Sequence, residues 1–106
     1  MRTLQFIVSG QDLRKDPNCD FDGLVAGSEG YLKAQFTFTS EWDKCSIVAR
    51  FWKGDEEHAV FLDNGCCKIP PAVQNNKTFK VAILGKHPDG YTMTTNRIIV
   101  RQGVRR

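Results

Sequence analysis

The sequence predicts an all-β fold, an antiparallel sandwich or small barrel of about seven short strands. Three observations carry this. Apolar and polar residues alternate with period two along much of the chain, most clearly at Leu32, Ala34, Phe36 and Phe38. Turn-forming groups such as Asp63-Asn64-Gly65 and His87-Pro88-Asp89-Gly90 punctuate it at short intervals. At 106 residues, 41% hydrophobic and 25% charged, the chain has room for one core, read here as one domain over residues 1–106.

Taken in order, Leu4, Phe6 and Val8 alternate with Thr3, Gln5 and Ser9 and predict a first strand. The stretch Gly10 to Gly30 is rich in turn formers and is expected to cross the surface, with a short strand around Leu24 to Ala26. In the next strand Leu32, Ala34, Phe36 and Phe38 face the core, while Tyr31, Lys33, Gln35, Thr37 and Thr39 face solvent. Trp42 follows, and its simplest role is to cap the open end of the core. From Ser46 to Trp52, Ile47, Ala49 and Phe51 point one way and Val48, Arg50 and Trp52 the other. Lys53-Gly54-Asp55 turns the chain into a strand over His58 to Leu62. Asn64-Gly65 then suits the positive φ of a tight hairpin, which would set Cys66 to Ile69 beside that strand and bring His58 and Cys66 into one sheet. Pro70 and Pro71 stop this strand, since proline donates nothing to a ladder, and Pro71 to Asn75 fits one helical turn. Phe79, Val81 and Ile83 mark another inward-facing strand. The last strand, from about Thr92 to Arg101, puts Ile98 and Val100 inside and Arg97, Ile99 and Arg101 outside.

Composition narrows the function classes. No apolar run is long enough to cross a bilayer, and the N-terminus lacks the apolar stretch and small-residue cleavage site of a secretory signal. Folding in a cytoplasm is therefore expected. Cys19, Cys45, Cys66 and Cys67 follow no zinc-ligand spacing, and adjacent residues on a strand point apart, so no metal is expected; four cysteines could form two disulfides, but folding in a cytoplasm argues for free thiols. The net charge of +3 resides entirely in the last ten residues, where Arg97, Arg101, Arg105 and Arg106 meet no acid. That end is open to an acidic partner or nucleic acid, but four arginines are a small electrostatic footprint, and a solvated end is the commoner case.

Catalysis needs converging groups, and the sequence provides none in a known pattern. His58 and His87 have no metal-ligand spacing, the serines sit in no nucleophile elbow, and the glycines follow turns and no phosphate loop. Asp55-Glu56-Glu57 reads as a solvated turn. No catalytic site and no cofactor are expected. Val48, Trp52 and Ile99, left on outward faces, join Arg97 and Arg101 as the candidate partner surface.

Several of these segments together resemble a known family. Ser28 and Tyr31, then Phe36, Phe38, Thr39, Trp42 and Asp43, then Ala49, Phe51 and Gly54, are similar in order and spacing to an immunoglobulin-like β-sandwich domain of phage structural proteins. Val60, Leu62 and Asp63, then Cys67, Ile69, Pro70 and Val73, and finally Thr95-Asn96, Ile98, Val100 and Gly103 continue the likeness. That domain stands at the N-terminus of tail-fibre and upper-baseplate proteins of phages of Gram-positive hosts. Pro71 departs from the pattern, which usually has a tryptophan there, and the coiled coil or receptor-binding module that generally follows has no counterpart before Arg106. The resemblance implies a virion building block: an accessory subunit of tail or baseplate, a fibre base or a capsid decoration protein. It would be made in the host cytoplasm and assembled as a homo-oligomer or on the lattice of other virion proteins. A second reading is a carbohydrate-binding module or adhesin in which Trp42 or Trp52 stacks a sugar. The core set expected under either is Leu32, Ala34, Phe36, Phe38, Trp42, Ala49, Phe51, Val81, Ile83, Ile98 and Val100.

Overall fold

The computed structural model describes residues 1–103. Arg105 and Arg106 of the basic C-terminus lie outside the described residues. The chain forms two sheets around a shared core, as the alternation requires. The strands are β1 (Arg2–Ser9), β2 (Asp12–Lys15), β3 (Leu32–Phe38), β4 (Ser46–Lys53), β5 (Glu56–Phe61), β6 (Cys66–Lys68), β7 (Thr78–Lys86), β8 (Thr92–Thr94) and β9 (Ile98–Arg101), with one helical turn, α1 (Pro71–Gln74). The first sheet has the order β2-β1-β3-β6. The second runs β5-β4-β7, with β8 and β9 both pairing the far side of β7.

One buried cluster fills the space between them. Leu4, Phe6, Val8, Leu32, Ala34 and Phe36 enter it from the first sheet, and Ala49, Phe51, Phe79, Val81, Ile83 and Val100 from the second. Every expected core residue is buried there or, for Phe38 and Ile98, packs against the cluster. Aromatic rings run the length of the first sheet's inner face. Phe21 meets Phe6 edge-on at 5.4 Å, Phe6 stacks on Phe36 at 4.9 Å, and Phe38 reaches Trp42 at 5.6 Å.

Trp42 closes the end of this row from a short 3₁₀ turn, Ser40–Trp42. Its indole Nε1–H donates to the Gly10 carbonyl at 2.7 Å. The ring lies so close to Gly85 that a Cβ there would stand 2.7 Å from it. Glycine is needed at that point for space.

Four expectations need correction. First, β1 and β3 pair in parallel, from Arg2↔Leu32 to Val8↔Phe38, so the sheets are not wholly antiparallel. The segment between β2 and β3 carries the chain back to the start of β1, where the Arg2 guanidinium donates to the Asp20 and Asp22 carbonyls and the Arg2 N–H to Tyr31. Second, the turn-rich stretch contains β2, paired to β1 from Phe6↔Lys15 to Ser9↔Asp12. Around Leu24 to Ala26 there is only an isolated bridge, Val25↔Gly103. Third, the Asn64-Gly65 turn has the expected positive φ values, 52° and 76°, but it passes the chain from one sheet to the other. His58 pairs with Phe51 in the second sheet and Cys66 with Gln35 in the first, so they share no sheet.

Fourth, the last strand is split into β8 and β9. At the break Thr95 exchanges hydrogen bonds with Ile83, its N–H donating to Ile83 O and its Oγ1 accepting from Ile83 N–H. Asn96 turns away and acts as a backbone mimic for β2: Leu13 N–H donates to its Oδ1 at 2.8 Å, and its Nδ2 donates to Leu13 O at 3.0 Å. This amide clasp ties the two sheets along one margin.

Candidate functional site

With the inner faces committed to the core, strand pairing leaves the outer faces of the two sheets, and that of the second carries most of the sequence-derived surface residues. Register places its residues in rows. Glu57, Trp52, Lys80 and Ile99 form one, Ala59, Arg50 and Ala82 the next, and Phe61, Val48, Leu84 and Thr94 the third. Val48, Trp52 and Ile99 of the sequence-derived surface residues therefore belong to one face, and Arg97 joins them by lying over the Trp52 ring. Arg101 follows Ile99 at the end of β9, at the margin, where it also lines a cavity of about 500 Å³ with Lys15, Phe21 and Leu24.

The face has two halves of different chemistry. In the first, Trp52 is only 5% exposed although it points away from the core. The Arg97 and Arg50 guanidiniums cover it, with Cζ atoms 4.0 Å and 4.8 Å from the ring centroid. Arg50 is itself held by Glu57 at 2.6 Å. That hydrogen bond outweighs the opposing effect of burial and, with the nearby charges of Arg50 and Arg97, keeps the Glu57 carboxyl below its ordinary pKa. Ala82, facing outward beside Arg50, is buried too. This half shows guanidinium, not indole, to solvent.

In the second half, Val48, Phe61 and Leu84 line a cavity of about 380 Å³ with Ser46, Lys86 and Thr92 at its rim. Phe61 is 75% exposed at its border. The exposed ring gives the depression an apolar border.

Sequence reasoning missed Arg50, Glu57, Phe61 and Leu84. The alternation that assigns Val48 and Trp52 outward assigns Arg50 with them, and Phe61 carries the same signal in its own strand. Glu57, read as part of a solvated turn, instead lies in β5 opposite Trp52. The indole platform needed for sugar stacking is not open at either tryptophan, since Trp42 is 2% and Trp52 5% exposed.

The remaining reactive groups are dispersed. Among the described residues no three His, Cys, Asp or Glu side chains converge on a point where a metal could sit. His58 meets Glu56 at 2.9 Å on the surface, lowering that carboxyl's pKa, and His87 stacks on Tyr91 with Asp89 nearby. Cys67 is buried and its thiol pKa is pushed up to about 12, first by loss of water and then by Cys66, which leaves it protonated and unreactive at neutral pH. Among the described residues no helix is long and apolar enough to cross a membrane.

Comparison with family models, curated proteins and solved structures returned no match.

Proposed function

We propose that this chain is a non-catalytic docking subunit of a phage virion, of the immunoglobulin-like sandwich class, which binds the tail, baseplate or capsid through the outer face of its second sheet. The observation that carries the docking part is the divided face itself: an apolar depression bordered by the exposed Phe61, continuous with the guanidinium cover over Trp52. Such a face fits a protein surface bearing an apolar knob beside acidic side chains, because Arg97, Lys80 and Lys86 on it are cationic and Glu57 is already paired. The virion part is supported by the ordered likeness of Ser28 to Gly54 and of Val60 to Gly103 to the phage domain. The two sheets around one core accord with that class; the parallel β1–β3 pair is a departure within it.

The test uses purified phage particles lacking this protein. The wild-type chain is expected to co-sediment with them. Arg97→Glu, folded as judged by circular dichroism, is expected to lose roughly tenfold or more in affinity, as reversal of one interface charge does. Wild-type binding that Arg97→Glu leaves unchanged would move the interface elsewhere, and no wild-type binding to any particle would end the virion reading.

A further inference from the structure

The second sheet ends at β5 on one side. Among the described residues β5 is the longest edge strand, six residues against four in β2 and three in β6. The free edge of β2 is occupied at Leu13 by the Asn96 amide; among the described residues β5 has no such cover. Leu62 N–H donates inward to Ile47 O, which sets the alternation: Val60, His58 and Glu56 turn their backbone groups to β4, and Phe61, Ala59 and Glu57 turn theirs outward.

We propose that this edge is homotypic: two copies of the chain pair their β5 strands antiparallel about a two-fold axis at Ala59, joining the two five-stranded sheets into one. Both outer faces must lie on the same side, so the axis passes through a residue, and three choices keep most of the strand paired. An axis at His58 or at Val60 brings only two pairs of outward-facing residues within β5 into register. An axis at Ala59 engages all of Glu57, Ala59 and Phe61, for about six hydrogen bonds. It also resolves the charges. Glu57 of one copy then opposes Phe61 of the other, and the two Glu57 carboxylates stand apart instead of face to face. Each exposed Phe61 ring comes to rest beside the other copy's Glu57–Arg50 pair, the cover of its Trp52. Small, exposed Ala59 lets the backbones meet at the centre.

This edge pairing uses Phe61 and Glu57, which also border the docking face, but it is measured on the isolated chain without any particle, so either can fail without the other. Its test is sedimentation equilibrium with Phe61→Glu and Phe61→Lys. The position is largely solvated, so neither substitution burdens the monomer. The register sets residue 61 opposite Glu57, so Phe61→Glu is expected to weaken dimerisation roughly tenfold or more, and Phe61→Lys is expected to stay within about threefold of wild type. A purely hydrophobic contact would lose both. Ala59→Cys is expected to yield a 59–59 disulfide dimer on mild oxidation, because paired Cα atoms at such a site lie about 5.5 Å apart, within disulfide reach. Glu57→Cys is expected to give no 57–57 bond. A wild-type chain that stays monomeric and an Ala59→Cys that does not cross-link would overturn the proposal, as would equal loss in both Phe61 variants.

Discussion

The two tryptophans are both almost completely hidden, by opposite means. Trp42 is enclosed by the sandwich: Phe38 beside it, Gly85 against its ring, and its N–H satisfied by the Gly10 carbonyl. Trp52 sits on the water side of the second sheet and is hidden by two arginine side chains, one fixed by a glutamate. The first burial is a matter of packing, insensitive to salt and acid. The second is held by charge, and what a partner meets there can be altered by changing a carboxylate. Equal exposure thus conceals two kinds of burial, one by core packing and one by a charged cover.

The largest expected effect comes from emptying the first site. Trp42→Ala should destabilise the fold by about 3–5 kcal/mol in urea denaturation, the usual cost of removing a large buried aromatic. A smaller loss would mean that the end of the core collapses around the gap. Gly85→Ala attacks the same contact from the opposite side, and overpacking should cost about 1–3 kcal/mol. Combined with Trp42→Leu the two should be non-additive, since the shorter side chain makes room for the methyl group.

At the second site Trp52→Ala should cost less, about 1–2 kcal/mol, because part of its surroundings is hydrated side chain. A cost equal to that of Trp42→Ala would erase the distinction drawn between them. The smallest effect is electrostatic. The Glu57 carboxyl has a depressed folded-state pKa, so its contribution is present above the unfolded value and is lost as pH falls through the folded one. In a Trp42→Phe background, acidification through this range should increase acrylamide quenching of Trp52. Glu57→Gln should remove that pH dependence while changing stability by no more than about 0.5 kcal/mol, as expected for a surface pair.

Much of the core was legible in the sequence because a strand buried on one face must alternate. Leu32, Ala34, Phe36 and Phe38 allowed no other arrangement, and Ala49, Phe51, Val81 and Ile83 followed by the same rule. The Asn64-Gly65 turn was legible as well, from its demand for positive φ. β2 was not: with a single inward residue, Leu13, its four residues carry no period to detect. The outward direction of Val48, Trp52 and Ile99 could be read, but the cover over Trp52 could not. It depends on Arg97 arriving from the break before β9 and Arg50 from β4, positions 47 residues apart in sequence.

Local periodicity and backbone sterics suffice to specify that the chain forms strands, which side chains of the longer strands enter the core, and where the Asn64-Gly65 and similar tight turns fall. The parallel course of β1 and β3, the turn that switches between sheets and the Asn96 clasp on β2 emerge only in the folded molecule. The fold also decides which outward residues gather into a divided face with β5 as its free edge. Those outcomes rest on pairings between distant segments, whose hydrogen-bonding groups are the same in every backbone and become selective only when the whole core closes.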